Sequence, residues 1–351
     1  MAKDRNYHEQ VIIKNELKLR ELQKGLPRFC AEFFRGIEPR TSSRTRIAYG
    51  YDLTVFFNYL MENNPSLSKG DVRDISLDVL DSITPTDIEE YLAYLKYYVS
   101  EDGKEHTNNE RGIMRKLACL RSLYKYFYKK EAIKNNPAAI VSMPKIHQKQ
   151  IVRLDADEVG NLLDEVEFGN NLTKSQQKFH GKTKKRDLAI LTLLLGTGIR
   201  VSECVGIDIN DLDFKNSGVK IRRKGGYESV VYFSDEVAST LLDYIDERKT
   251  IIASEGSENA LFLSLQKKRI SVRAVENLVK KYSSLITSLK KITPHKLRST
   301  YGTALYKETG DIYLVADVLG HKDVNTTKKH YAAIEDDRRR KARDAVKLRK
   351  D

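Results

Sequence analysis

The chain has 351 residues, of which 40% are hydrophobic and 32% are charged. This length exceeds what one ordinary hydrophobic core holds, so we expect two domains, and the composition excludes an intrinsically disordered chain. The formal net charge of +13 favours a polyanionic partner, which is either nucleic acid or an acidic membrane surface.

The cysteines and the N-terminal residues narrow the class further. Cys30, Cys119 and Cys204 stand far apart without a CxxC pair, so neither a zinc site nor a disulfide framework is indicated. The first ten residues contain no apolar signal segment, and the longest apolar stretch, residues 188–195, is too short to cross a bilayer. We therefore expect a cytoplasmic protein without a zinc site and without a membrane-spanning segment.

The first 130 residues predict an all-helical bundle without a strand. Apolar side chains recur at helical spacing, and capping residues with acidic neighbours mark a helix start at Thr84. The predicted elements are, in order, a charged amphipathic helix at 1–26, a helix at 43–61, a helix from Thr84 to about Val99, a polar loop at 101–107 and a long helix at about 108–130.

A linker is predicted after this bundle. Residues 135–144 contain two prolines that stop a helix, and residues 145–153 are polar and basic. After the N-terminal helix we therefore expect a helical domain at 27–143, a linker at 144–153 and a second domain at 154–351.

The second domain is predicted to be mostly helical with one small sheet. A Gly-Gly pair between two short apolar runs predicts a β-hairpin. The predicted elements are a helix at 155–166, an exposed Lys-rich loop at 167–184, a buried helix at 186–195, strands at 219–223 and 229–233, and helices at 236–247, 271–289, 295–309, 313–319 and from about 333. The expected fold class is mainly α with a small antiparallel β-sheet.

Four segments of the second domain carry groups suited to a phosphate. In GTGIRVSE, Arg200 follows a Gly-x-Gly turn, and its fork of donors suits a pair of phosphate oxygens. Glu203 lies three residues further on, where it can hold the arginine in place. The alternative is a surface arginine beside a helix break.

The hairpin KIRRKGGYE places Arg222, Arg223 and Lys224 at the tip of a tight turn. Such a tip can enter a DNA groove, and Lys224 could protonate a leaving oxygen. The alternative is a solvated basic turn.

The last two segments combine histidine, arginine and tyrosine. His295 and Arg298 are three residues apart after Pro294, hence on one face of a helix. His321 follows a helix end at Gly320, and Tyr331 comes ten residues after His321. Each of these patterns alone is common by chance.

Taken in order, these residues resemble the tyrosine recombinase (phage integrase) family. The resemblance is carried by GTGIRVSE, RRKGG, HKLR, LGH and Tyr331. The segment SRTRIAYGYDLTVFFNYL is similar to the helical, SAM-like core-binding domain of that family. Within the family, the sequence KRDLAI at 185–190 and the RKGG hairpin are similar to the single-recombinase type XerS, which resolves chromosome dimers. One departure is the spacing from His321 to Tyr331, which is nine residues in many relatives.

The resemblance implies a site-specific DNA recombinase that needs neither metal nor ATP. Tyr331 would attack the scissile phosphate and form a 3′-phosphotyrosyl bond. Arg200, Arg298 and His321 would stabilise the phosphate charge, His295 would assist proton transfer, and Lys224 would protonate the leaving oxygen. Glu203 would support Arg200.

The resemblance also implies the partners. The protein would bind a double-stranded DNA recombination site as a homotetramer, in the bacterial cytoplasm at the nucleoid. Residues 336–351 would form a helix that docks onto a neighbouring protomer. Candidate DNA contacts are Arg44, Arg46, Arg111, Arg115, Lys116, Arg121 and Lys125 in the first domain and Arg222 and Arg223 on the hairpin. Ordinary solvated helix charge is the alternative for these cations, and we expect it to hold for about half of those in the first domain.

Two other functions remain open at this point. A basic DNA-binding protein without catalysis would share the charge, and a type IB topoisomerase would share the pocket. Within the recombinase interpretation, chromosome dimer resolution competes with integration or excision of a mobile element.

Overall fold

The computed structural model describes residues 6–67, 70–100, 102–145, 152–223, 225–321 and 323–324. The chain divides into two compact units, residues 1–149 and 150–351. Both units are mainly helical and each contains a small antiparallel sheet, which confirms the predicted fold class.

Unit 1, residues 1–149, is a helical bundle. Its helices are α1 (Tyr7–Gln23), α2 (Cys30–Ile37), α3 (Ser43–Asn63), α4 (Leu77–Ser82), α5 (Pro85–Tyr94), α6 (Glu110–Lys129) and α7 (Pro137–Ile140). The side chains of Ser42 and Asn109 accept hydrogen bonds from backbone N–H groups in the first turns of α3 and α6, which explains where these helices begin. The core is rich in aromatic residues, among them Phe33, Phe56, Phe57, Tyr91 and Phe127.

A β-hairpin interrupts these helices, and the prediction of a helix to Val99 is wrong. The strands are β1 (Tyr97–Val99) and β2 (Glu105–Thr107), which pair antiparallel. Helix α5 ends at Tyr94, and the chain reverses between the two strands at Gly103, whose φ of +75° is easy only for glycine. The ring of Tyr98 stacks on Tyr94 and on His106, so aromatic contacts fasten the hairpin to the helix before it.

Unit 2, residues 150–351, surrounds one long helix. Its helices are α8 (Ala156–Phe168), α9 (Lys174–Thr197), α10 (Val201–Cys204), α11 (Asp235–Lys249), α12 (Val272–Ile286), α13 (Pro294–Thr309) and α14 (Ile312–Leu319). Its strands are β3 (Leu212–Asp213), β4 (Gly218–Arg222) and β5 (Glu228–Tyr232), in the antiparallel order β3-β4-β5. Helix α9 packs against α8, α11 and α13, and its C-terminal half carries fully buried side chains such as Leu191 and Leu194.

The first half of α9 replaces the exposed loop predicted from its lysines. Thr173 and Gln176 form a capping box that starts the helix. His180 and Thr183 are buried, and the ring Nε2–H of His180 donates to the carbonyl of Val166 (2.8 Å). The lysines therefore lie on the solvent side of a helix whose opposite side packs against the rest of unit 2.

Candidate catalytic site

Arg200 lies directly before α10, just after the end of α9. The chain leaves α9 at Gly198, whose φ is +63°. The backbone N–H of Arg200 donates to Glu203 Oε2 (2.7 Å), and its guanidinium Nη1 donates to Glu203 Oε1 (2.8 Å). The Glu203 side chain is 2% exposed, whereas that of Arg200 is 31% exposed. The buried carboxylate therefore holds a guanidinium that still reaches solvent.

Arg298 lies in the second turn of α13, which begins with Pro294 at its first position. The Arg298 side chain is buried, and its Nη1 donates to the carbonyl of Gly198 (2.7 Å). His295, one turn earlier on the same helix, is exposed. The contact with Gly198 ties α13 to the turn that presents Arg200.

The C-terminal end of α14 accepts hydrogen bonds from three arginines. Arg223 donates to the carbonyl of Leu319 (3.2 Å) and to the carbonyl before it (2.9 Å). Arg298 also donates to Leu319, and Arg200 donates to the carbonyl of Gly320 (3.2 Å). The last carbonyls of a helix lack partners within the helix and carry partial negative charge. They therefore draw three cations from distant parts of the chain to one point.

His321 is the first residue after this helix end. Gly320 closes α14 with a φ of +61°, and the backbone N–H of His321 donates to the carbonyl of Ala316 (2.9 Å). The half-buried His321 side chain thus starts one residue from the carbonyl that Arg200 contacts.

The structure brings Arg200, Glu203, Arg298 and the turn before His321 together. It places His295 on the surface of α13. Lys224, Tyr331 and the predicted C-terminal helix at 336–351 lie outside the described residues.

Arg223 does not fit its prediction as a DNA contact. Its side chain is 3% exposed, and its Nη1 lies 3.6 Å from Glu203 Oε2 in addition to its contacts with α14. The Glu203 carboxylate thus lies between two arginines. Sequence spacing indicates the partner Arg200, three residues away, but contains no signal for Arg223, twenty residues away.

Three predicted DNA contacts of unit 1 are instead occupied with internal partners. Arg46 is buried and contacts the carboxylates of Glu16 and Glu38. Lys116 is buried, and its Nζ donates to Asn108 Oδ1 (3.1 Å). The guanidinium of Arg121 donates to the carbonyls of two residues in and just after α7. Burial corrects the prediction for Arg46 and Lys116, whereas Arg121 is half-buried and stays a prediction.

The remaining predicted contacts reach the solvent. Arg44, Arg111, Arg115 and Lys125 are exposed, and Arg222 is half-buried. Arg115 also donates to Asp52 Oδ2 (2.5 Å), and Arg222 donates to the carbonyl of Gly226 (3.2 Å).

The described residues provide neither a thiolate nucleophile next to Glu203 nor a metal site. Burial raises the pKa of the Cys204 thiol, next to Glu203, to about 12, so no thiolate nucleophile forms there near neutral pH. Among the described residues, no group of three His, Cys, Asp or Glu side chains could hold a metal ion. Over the same residues, no helix has the length and hydropathy that crossing a bilayer requires.

Comparison with known proteins defines the class. The phage integrase family matches residues 153–338, and the phage integrase SAM-like domain matches residues 27–146. The chain therefore belongs to the phage integrase family and is a tyrosine recombinase, which confirms the resemblance seen in its motifs.

Particular relatives match over most of their length. The chain is 32% identical over 345 residues to tyrosine recombinase XerC of Caldanaerobacter subterraneus, covering 94% of this chain and 90% of the relative. It is 30% identical over 362 residues to tyrosine recombinase XerS of Streptococcus agalactiae, covering 93% of this chain and 98% of the relative.

Solved structures share the fold. The XerH site-specific recombinase bound to its palindromic difH substrate aligns with a TM-score of 0.62 and 18% identity, over 86% of this chain and 78% of that one. The Tn1549 transposon integrase in complex with circular intermediate DNA aligns with a TM-score of 0.60 and 21% identity, over 86% of this chain and 94% of that one.

Proposed function

We propose that this chain is a site-specific recombinase that cleaves and rejoins double-stranded DNA through a 3′-phosphotyrosyl bond to Tyr331. It acts as a homotetramer on two DNA sites. The observation that carries the proposal is the meeting of Arg200 and Arg298 at the helix end that precedes His321. Separate segments of the chain supply these groups, and their convergence has an obvious use at an anionic phosphate.

The charge of the site supports phosphoryl transfer. A phosphodiester is already anionic, and its pentavalent transition state concentrates more negative charge on the oxygens. Arg200 and Arg223 lie on either side of the Glu203 carboxylate, and Arg298 meets Arg223 at the carbonyl of Leu319, so this cluster of three cations and one anion keeps positive charge. Because Arg298 is buried, solvent screens its charge weakly. Hydrogen bonds already orient the half-buried Arg200, so little reorganisation is needed during the reaction.

The other residues take the roles that the resemblance implies. The Tyr331 oxygen attacks the phosphorus while its phenolic proton leaves, with assistance from His295. The bond from phosphorus to the 5′ oxygen breaks, and Lys224 gives that oxygen a proton. His321 stabilises the phosphate oxygens. The phosphotyrosyl bond retains the energy of the phosphodiester, so rejoining needs no cofactor.

The proposed DNA interface uses the exposed cations of both units. Arg44, Arg111, Arg115 and Lys125 contact phosphates from unit 1, and Arg222 does so from the hairpin. The helical core-binding domain is proposed at 27–143, the linker at 144–153 and the catalytic domain at 154–351. The protein works in the bacterial cytoplasm, on the nucleoid.

Covalent trapping tests the nucleophile. The full chain is incubated with a library of duplexes that each carry a nick, so that cleavage releases a short strand and leaves the DNA on the protein. We expect a denaturant-resistant adduct with the wild-type protein and none with Tyr331→Phe, which should still bind the selected DNA. Tyr313→Phe is the matched control, because Tyr313 is 71% exposed and should keep the adduct.

The outcomes separate the candidate functions. An adduct that persists in Tyr331→Phe, or recombination by wild-type protein without an adduct, would overturn the proposal. Relaxation of supercoiled plasmids without a consensus in the trapped DNA would instead indicate a type IB topoisomerase. Sequencing the trapped DNA also distinguishes a single chromosomal site, expected for dimer resolution, from the ends of a mobile element.

A further inference from the structure

Arg223 is buried although it lies at the base of a hairpin turn rich in cations. Strand β4 ends at Arg222, and the Arg223 side chain is 3% exposed. Burying a guanidinium is costly unless acceptors surround it. Here the acceptors are two carbonyls at the end of α14, with the Glu203 carboxylate close by.

The backbone of Arg223 also closes the turn. Its N–H donates to the carbonyl of Tyr227 (2.9 Å), and its carbonyl accepts from the N–H of Gly226 (3.0 Å). Lys224 follows Arg223 in the sequence. Arg223 is therefore held by its backbone as well as by its side chain.

The other end of the contact is the turn before His321. Gly320 packs directly on the Arg223 guanidinium, since a Cβ built at Gly320 would lie 3.0 Å from Arg223 Cζ. His321 follows Gly320, and Arg200 contacts the Gly320 carbonyl. Arg223 thus contacts the hairpin turn through its backbone, and its buried side chain contacts the helix end and the carboxylate that holds Arg200.

We propose that Arg223 is a positioning residue that holds the Lys224 turn in register with His321 and with the Arg200–Glu203 pair. This inference rests on the proposed function, in which Lys224 protonates the leaving 5′ oxygen. Loss of the Arg223 contacts should then slow the chemical step while DNA binding is retained. A DNA-contact role for Arg223 would give the reverse result.

A change of leaving group separates positioning from general damage to the site. A 5′-bridging sulfur leaves as a thiolate without a proton, because a thiol is far more acidic than an alcohol. A defect in proton delivery should therefore shrink on the sulfur substrate. A defect in folding or in phosphate stabilisation should be equal on both substrates.

The experiment measures single-turnover cleavage of nicked duplexes with a 5′ oxygen or a 5′ sulfur at the scissile bond, using the selected DNA site. Arg223→Met should slow cleavage of the oxygen substrate at least about tenfold, within the range for a misplaced general acid. It should slow the sulfur substrate much less, and the Kd for DNA should stay within about twofold of wild type, because no phosphate contact is removed. Lys220→Met is the matched control, because Lys220 lies on β4, the strand that ends just before Arg223, and is 51% exposed. Its rates should equal those of wild type.

The reference variant Lys224→Met keeps the two proposals apart. If it is not slowed, or is slowed equally on both substrates, the proposed role of Lys224 fails. In the other case, Lys224→Met is slow on the oxygen substrate and recovers on the sulfur substrate. If Arg223→Met then cleaves both substrates like wild type, the positioning role of Arg223 is wrong. Equal slowing of Arg223→Met on both substrates would also overturn that role.

Arg223→Lys provides a second variant in case Arg223→Met does not fold. An ammonium keeps the charge but lacks the planar fork of donors that spans both carbonyls. We expect a smaller defect with the same preference for the sulfur substrate. A folded Arg223→Lys protein with the wild-type ratio of oxygen to sulfur rates would refute the inference.

Discussion

Gly198 links the backbone of α9 to the side chains of the site. Its φ is +63°, and a Cβ there would lie 2.4 Å from Tyr301 Cδ1 and 2.9 Å from Leu319 Cδ2. Its carbonyl also accepts the hydrogen bond from Arg298. Glycine is therefore required both for conformation and for space.

We predict that Gly198→Ala lowers the free energy of unfolding by about 1–3 kcal/mol, from backbone strain and the forced shift of Tyr301. Denaturant unfolding of the full chain measures this change. Gly181→Ala is the matched control, since Gly181 lies in α9 with nothing within 4 Å of its Cβ position. It should leave stability unchanged or raise it by up to about 1 kcal/mol through helix propensity. Equal effects of the two substitutions would contradict this account.

The buried arginines show what residue patterns predict and what they do not. Glu203 is three residues from Arg200, so spacing alone indicates that pair. The acceptors of Arg223 lie 95 and 96 residues away, and Arg46 contacts Glu16 across 30 residues. In a cluster of cations, the sequence does not indicate which one turns inward, because a distant partner decides it.

At the scale of elements, one buried carboxylate connects α3 to α6. Asp52 on α3 is 3% exposed, and it pairs with Arg115 (2.5 Å) and Lys116 (3.6 Å) on α6. Burial raises the pKa of Asp52 in spite of these cations, and burial also lowers the pKa of Lys116. Desolvation thus opposes the charged forms of both partners.

We predict that Asp52→Leu alone lowers the free energy of unfolding by about 3 kcal/mol, because it leaves the buried Lys116 without its carboxylate. Adding Lys116→Met should restore most of that loss, since an apolar pair of similar volume replaces the ions. Urea unfolding of the two single variants and the double variant measures the coupling. Additive losses would show that the pair does not interact.

The pH dependence gives a second readout of the same pair. Because the folded-state pKa of Asp52 lies above its ordinary value of 3.8, the folded protein binds this proton before the unfolded chain does. The stability that wild type has relative to the double variant should therefore rise as the pH falls from that raised pKa toward 3.8. A difference that shrinks over this interval would contradict the direction of the shift.

The sequence did not predict the first half of α9 or the β1–β2 hairpin, and each has a physical reason. The first half of α9 carries five lysines between residues 174 and 185, and its inward side uses polar groups such as His180 and Thr183 in place of aliphatic ones. No apolar period marks it as a helix. The β1–β2 hairpin depends on ring stacking with α5, which alternation along a three-residue strand does not reveal. The longer helices with apolar faces and capping residues, such as α3 and α6, were predictable.

At the scale of the molecule, catalysis and assembly are proposed for different parts of the chain. The proposed catalytic groups are Arg200 before α10, His295 and Arg298 on α13, Lys224, His321 and Tyr331, and all of them belong to unit 2. The segment 336–351, DDRRRKARDAVKLRKD, supplies no catalytic group. Its apolar positions are Ala342, Ala345, Val346 and Leu348. If this segment forms a helix on a neighbouring protomer, it should serve synapsis and not cleavage.

We predict that deletion of residues 336–351 leaves DNA affinity and adduct formation within about threefold of wild type, because the phosphate contacts of both units remain. Recombination between two sites should fall at least about tenfold, since a small apolar contact repeated around a tetramer adds up over its interfaces. Gel-shift assays, covalent trapping and a two-plasmid recombination assay measure the three steps separately.

Substitution within the intact segment distinguishes loss of an apolar contact from loss of charge. Ala342→Ser with Val346→Ser should reproduce the recombination defect of the truncation, because residues four apart share one face of a helix and both side chains would leave water when the helix docks. Lys347→Ser, at the next position in the sequence, removes a cation and should recombine normally. A defect in Lys347→Ser equal to that of the double variant would indicate that the tail binds DNA through its charge. Undiminished recombination by the truncated protein would place the assembly contacts elsewhere in the chain.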